Sequence, residues 1–381
     1  MDGRPAWLVT TRMHHQIGCR TPRSPPTAPP LAPLFRRVIR ASSPPPRNHP
    51  LEMSPDPQST DLEWQLDSIP MQGTLMCPPG KGPFPGVVIV AGSGPTDRDW
   101  NTPLLPGTNG SARLIALELA RHGFASLRYD KRASGPNVVA NVQRLIGKLS
   151  MQSHLDELAS AVETLTRQPN VRRDRVYAVA NSEGTLHALN YQLQAPAVPF
   201  AGLVLVAPPG RAVGSVARSQ LAAQAAVLPN GDEVMALYDV AIARFVAGEP
   251  VAPDPSLPPG VLALLGGLAA PANLPFAREL WMADGAPLLA QVDAPTLVVI
   301  GKKDIQVDWR TDGEPLQRAA DGRPHIVFVF PENANHVLKH EPRPRSELSS
   351  AHVAASYNGA DAALDEDAIT SIVGWLIAHA S

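Results

Sequence analysis

Continuous Val/Ile/Leu runs alternate along the chain with segments whose apolar residues recur every three or four positions. Leu62–Leu66 and Gly73–Met76 read as two short strands of an antiparallel start. PFPGVVIVAGSG is an unbroken apolar run ending in glycines, the pattern of a strand buried on both faces. Residues 111–123 form a predicted helix closed by Gly123. FASLRYDKR returns to strand, and residues 151–168 place Leu155, Leu158, Val162 and Leu165 on one helical face. RVYAVA at 175–180, SEGTLHALNYQL and AGLVLVAPPG at 201–210 continue the rhythm as strand, helix and strand. Such alternation implies right-handed crossovers and a mostly parallel sheet with helices on both faces, an α/β fold.

The rhythm stops near Arg211 and resumes with APTLVVIGKKD at 294–304. Between them lie GDEVMALYDVAIARFVAG, which is helix-like, and a Pro-broken apolar stretch. An insertion of this size between core strands is most simply a helical cap. HIVFVF at 325–330 supplies a last strand, and DAITSIVGWLIAHA at 367–380 a closing amphipathic helix. Residues 1–60 lack this patterning: stretches such as TPRSPPTAPPLAPLF cannot bury enough surface to offset the entropy of ordering. The expected organisation is a disordered Pro/Arg-rich tail over 1–60, a core over 61–210 and 286–381, and a helical cap over 211–285. Arg36-Arg37 is not followed by the apolar region that a twin-arginine signal needs, and Met53 opens the patterned chain, so the tail reads as dispensable.

Composition narrows the function. A net charge of -2 gives no general attraction for nucleic acid or anionic membrane, and no apolar run is long enough to span a bilayer. Cys19 and Cys77 match no metal-ligand spacing. A small uncharged substrate, no metal or cofactor, and a cytoplasmic location are the expectations. Monomer and homodimer remain equally open.

The candidate chemistry lies at strand ends. Ala180-Asn181-Ser182-Glu183-Gly184 stands at a predicted strand-to-helix junction, where small residues allow the tight turn that lifts a serine hydroxyl above the sheet. An ordinary turn would use the same residue types. A nucleophilic serine needs a base, and the base an orienting carboxylate. Asp304 lies just past one later strand, with Asp308 as a rival, and His336 lies in the loop after the last strand, with His340 and His325 as rivals. The resulting order is Ser, Asp, His. An oxyanion hole would use the N–H of Glu183 and one from the loop Ala91–Pro95, with Ser93 ahead of Gly94. That loop is followed by neither a Walker-A nor a G-x-G-x-x-G pattern.

VVIVAGSGPTDRDWN, LRYDKRASG, VANSEG, VIGKKDIQV and ENANHVLK together resemble bacterial α/β-hydrolases with a GSGP-x-DRD loop, a group of serine esterases. The resemblance runs from about Leu62 to the C-terminus. It implies an eight-stranded core with a helical cap, a Ser182–Asp304–His336 triad, and cofactor-free hydrolysis of carboxylic esters; short to medium acyl chains are the default expectation, since no long apolar channel can be read from the sequence. Two positions depart from the group's pattern: Ala180 replaces the first elbow glycine, and Ala91 stands where many relatives carry His. Peptidase or thioesterase activity, and a catalytically silent binding protein, are the alternatives. Asp97-Arg98-Asp99 and Tyr129–Arg132 read as polar bracing rather than chemistry.

Overall fold

Eight strands form one sheet in the order β1-β2-β4-β3-β5-β6-β7-β8. The computed structural model describes residues 56–103, 105, 107–359 and 362–380, so the expected tail lies outside the described residues as far as residue 55. The strands are β1 (Gln58–Leu66), β2 (Ile69–Cys77), β3 (Phe84–Val90), β4 (Ala125–Tyr129), β5 (Val171–Asn181), β6 (Gly202–Val206), β7 (Thr296–Val299) and β8 (Ile326–Val329). Pairing from β4 to β8 is parallel, and β2 is antiparallel to both β1 and β4. β1 starts before the expected boundary at residue 61, because Gln58, Ser59 and Thr60 find backbone partners in Cys77, Met76 and Leu75 of the hairpin. Local polarity does not reveal that ladder.

The helices are α1 (Ser111–Arg121), α2 (Val138–Leu145), α3 (Met151–Thr166), α4 (Glu183–Leu193), α5 (Val213–Ala225), α6 (Gly231–Ala247), α7 (Pro259–Ala269), α8 (Phe276–Met282), α9 (Gly285–Leu289), α10 (Gly313–Ala319), α11 (Ser350–Tyr357) and α12 (Glu366–Ala380). Two packed groups flank the sheet: α1 with α12, and α3, α4, α9 and α10. β4, β6 and β7 are buried along their whole length; in β6 and β7 this goes with an almost wholly apolar sequence, whereas β4 also buries Ser126 and Arg128, the latter paired with Asp99. The insertion between β6 and β7 is helical and has its own apolar cluster, built on Val234, Tyr238, Phe245, Leu265 and Trp281. Ala286 and Leu289 of α9 belong instead to the main core. The pattern did not mark α2, α5, α10 or α11. α5, for example, carries mixed Ala, Ser and Gln with little apolar period.

Candidate active site

The register brings the chemistry to one edge of the sheet. Val90 of β3 pairs with Ala180 of β5, Asn181 with Val206 of β6, Val206 with Val299 of β7, and Val299 with Val329 of β8. The loops leaving these strands carry Gly92–Gly94, Ser182, Asp304 and His336. All five strand ends point the same way because their pairing is parallel.

Ser182 sits between β5 and α4 with φ 53° and ψ -121°, a conformation that is strained for a residue with a Cβ. Two constraints hold it. Its own N–H continues the β6 ladder by donating to the Val206 carbonyl at 2.8 Å, and its carbonyl accepts from the Thr185 N–H at 3.0 Å and the Thr185 hydroxyl at 2.6 Å. Gly184 permits the close approach of α4 to β3: a Cβ there would lie 2.6 Å from the Ala91 carbonyl oxygen and 3.0 Å from that of Val90. Ala180, the first residue of the elbow pattern, is fully buried within β5.

Asp304 and His336 meet. His336 Nδ1–H donates to Asp304 Oδ2 at 2.7 Å, and the carboxylate is completely buried. The other carboxylate oxygen accepts the N–H groups of Gln306 at 2.7 Å and Val307 at 3.0 Å, so the acid is fixed on both sides. The carboxylate selects the tautomer, leaving Nε2 free to accept a proton. The His336 loop is tied to the nucleophile's strand, because Asn181 Nδ2 donates to the His336 carbonyl at 3.0 Å. No hydrogen bond joins Ser182 Oγ to His336 Nε2, a contact that in hydrolases of this kind often forms only as substrate binds.

The rivals are engaged elsewhere. Asp308 pairs with Arg345 at 2.5 Å and accepts the N–H groups of Arg310 and Thr311. Burial raises its carboxyl pKa, but those N–H bonds and the Arg345 charge outweigh it and hold the group below its ordinary value. His325 bonds the Val292 carbonyl. His340 has an acid partner of its own, Asp365, but at 3.2 Å and with its side chain half exposed.

The loop after β3 lies over the elbow: a Cβ at Gly92 would be 3.0 Å from Asn181 Oδ1 and 3.3 Å from Ser182 Cβ. Gly94 adopts φ 76°, which turns the chain away beyond Ser93. The loop is braced as expected. Arg98 bonds Asp130 through Nε at 2.9 Å and Nη2 at 2.6 Å, Asp99 accepts from Arg128 at 2.8 Å, and Asp97 accepts from Asn101. Beneath it, Lys131 donates to the Gly92 carbonyl at 2.7 Å and lies 3.4 Å from Glu183 Oε1. Burial pushes the Glu183 carboxyl up, but Lys131 and the His187 hydrogen bond outweigh it and hold the group well below the usual range.

The profile of the Alpha/beta hydrolase family matches residues 87–351, more than half of the chain. The chain belongs to this family. Esterase EstD of Thermotoga maritima is 25% identical to this α/β hydrolase over 327 residues, which cover 84% of this chain and 69% of the relative. Among solved structures, a Pyrococcus furiosus esterase aligns over 85% of this chain and 92% of its own, at 14% identity and a TM-score of 0.48. A proline iminopeptidase from Mycobacterium smegmatis aligns over 84% and 98%, at 16% identity and a TM-score of 0.49. Among the described residues of this hydrolase, no helix is long and apolar enough to cross a membrane, and no group of three or more His, Cys, Asp or Glu is arranged to hold a metal ion.

Two residues of the hydrolase site escaped the sequence reading. Tyr357 of α11 stacks parallel to the His336 imidazole, with 8° between planes and 6.4 Å between centroids, and its hydroxyl accepts from Gln306 Nε2 at 2.7 Å. Burial, reinforced by the Asp304 charge, pushes its phenol well above the ordinary value. Lys131 is the other. The sequence shows it only as one cation in a polar strand end, and no local signal indicates that its ammonium reaches a carbonyl 39 residues earlier.

Proposed function

We propose that this hydrolase is a serine carboxylesterase acting on short- to medium-chain esters, with Ser182 as nucleophile, His336 as general base and acid, and Asp304 as the orienting carboxylate. The observation that carries this reading is the strained Ser182 turn, joined through Asn181 to the loop of a buried His336–Asp304 pair. The sequence likeness to an esterase supports the choice of ester over amide.

Ser182 Oγ attacks the ester carbonyl while its proton passes to His336 Nε2. The carbonyl π pair moves onto oxygen, and the oxyanion is received by the N–H groups of Glu183 and Ser93, with Gly94 next in line. Collapse breaks the bond to the alcohol, which leaves with the proton from Nε2. Water then attacks the acyl-enzyme, gives its proton to the same nitrogen, and the acid departs as Ser182 regains its hydrogen. Asp304 keeps Nδ1 protonated throughout and stabilises the imidazolium.

The reading includes the insertion acting as a cap over this site. Its support is two contacts to the core: Gln220 of α5 donates to the Gln306 carbonyl beside Asp304 at 2.9 Å, and the Met151 N–H donates to Glu279 of α8 at 2.6 Å. A small-molecule ester and a cytoplasmic location complete the proposal, the latter resting on the sparse cysteines of the sequence.

The test is hydrolysis of p-nitrophenyl acetate, butyrate, octanoate and palmitate, with Ser182→Ala and a dipeptide p-nitroanilide alongside. The expected result is turnover of the shorter esters that disappears in the variant. Ester turnover surviving Ser182→Ala would overturn the assigned nucleophile, and amide cleavage without ester cleavage would overturn the ester reading.

A further inference from the structure

Lys131 follows β4, outside the triad, and is one of four buried cations among the described residues, with Arg128, Arg132 and Lys339. Its side chain is 7% exposed, and its ammonium has two partners: the Gly92 carbonyl at 2.7 Å and Glu183 Oε1 at 3.4 Å. One partner precedes the proposed donor Ser93, and the other is the side chain of the second proposed donor, Glu183. The Gly92 carbonyl and the Ser93 N–H are the two poles of one peptide unit, and that unit is trans. In a trans peptide the N–H points opposite to the C=O. A cation fixed on the carbonyl therefore fixes the direction of the Ser93 N–H, and by drawing electron density toward the oxygen it makes that N–H a stronger donor.

We propose that Lys131 is a positioning residue for the oxyanion hole, which aims and polarises the Gly92–Ser93 peptide and, through Glu183, anchors the start of α4 that carries the second donor. The inference rests on the esterase reading above. Its function differs from simple neutralisation of a buried carboxylate, because Glu183 also has His187 Nε2 at 3.2 Å and Lys131 makes its shorter bond to the carbonyl rather than to the acid.

A counter-ion and a peptide-orienting group respond differently to a paired substitution. Lys131→Met removes the ammonium and keeps most of the buried stem; Lys131→Met with Glu183→Gln also removes the carboxylate that would be left unpaired. Losing an oxyanion donor outright costs about 10²- to 10³-fold in kcat, so misdirecting one should cost about 10- to 100-fold, with KM changed by less than about threefold. Thermal stability should fall in Lys131→Met and recover in the double variant, while kcat on p-nitrophenyl butyrate stays low in both. The rate of fluorophosphonate labelling of Ser182, which forms a similarly charged phosphoryl oxygen, should fall in step with kcat.

Recovery of kcat together with stability in the double variant would show a counter-ion only and overturn the inference. So would a Lys131→Met enzyme with kcat within about twofold of wild type. If Lys131→Met does not fold, the double variant is compared with Glu183→Gln alone: kcat must be about tenfold or more lower in the double variant, and equal values would overturn the inference. These outcomes leave Ser182-dependent ester hydrolysis standing. A wild type without ester turnover, or turnover that survives Ser182→Ala, would instead remove the esterase reading and this inference with it.

Discussion

Asp304→Asn separates the geometry of the acid from its charge. The side chain has two fixed oxygens: Oδ1 receives two backbone N–H groups, at 2.7 and 3.0 Å, and Oδ2 receives His336 Nδ1–H at 2.7 Å. An asparagine must choose which side keeps its oxygen. Turning the NH2 toward Gln306 and Val307 sets donors against donors and leaves two N–H groups unsatisfied, at about 1–3 kcal/mol each. The oxygen therefore stays there and the NH2 faces His336. Nδ1 must then accept, the proton moves to Nε2, and the imidazole has no lone pair with which to take the Ser182 proton. A bias of about 2 kcal/mol already suppresses the productive arrangement ~30-fold. Loss of the carboxylate's stabilisation of the imidazolium carries the deficit toward ~10⁴-fold, or about 5 kcal/mol of activation free energy. The assay is kcat/KM on p-nitrophenyl butyrate, with near-UV circular dichroism to show that the variant is folded. Asp308→Asn is the control, because Asp308 is committed to Arg345 and its own turn. A folded Asp304→Asn enzyme keeping more than about a tenth of wild-type kcat/KM, or an equal loss in Asp308→Asn, would refute the reasoning.

Gly184→Ala should destabilise by about 1–3 kcal/mol, read as a lower urea midpoint, because the new methyl would meet the Ala91 and Val90 carbonyls at 2.6 and 3.0 Å; an unchanged midpoint would show that the elbow has room. Arg211 makes a bidentate pair, at 2.9 and 3.1 Å, with the completely buried Asp312 at the entrance to the insertion. Arg211→Met strands that carboxylate, and since the arginine is itself a quarter exposed, a loss near the lower end of about 3–5 kcal/mol is expected, with most of it regained when Asp312→Asn is added. Burial raises the Glu157 carboxyl pKa, but the His154 and Arg132 pairing outweighs it and holds the group at about 2. The unfolded chain binds this proton near pH ~4.3. The folded value lies below the unfolded one, so the stabilisation is complete above that pH and is lost as pH falls toward about 2. Glu157→Gln should therefore flatten the dependence of the urea midpoint on pH across this window, a term on the order of 3 kcal/mol; identical pH slopes for the two proteins would contradict it.

The strands and most core helices were legible because each is written in a local pattern. Val87–Val90, Tyr177–Ala180 and Leu203–Val206 are unbroken apolar runs because both faces of those strands are buried. The order of Ser182, Asp304 and His336, each just past such a run, was legible for the same reason: in a parallel sheet the loops after the strands share an edge. The bracing role of Asp97-Arg98-Asp99 could be read from charge and position alone, although its particular partners could not. Position past a strand end favoured Asp304 and His336 in the sequence, but it could not decide against their near neighbours Asp308 and His340. The choice rests on contacts across tens of residues: a buried acid 2.7 Å from one imidazole, an Arg345 that occupies the rival acid, and an Asp365 that occupies a rival base. Lys131 beneath Gly92 and Tyr357 against His336 belong to the same class. Periodicity and turn chemistry act within a few residues and therefore survive in sequence, whereas the partner of a buried charge is decided by which strands lie side by side, which only the folded sheet determines.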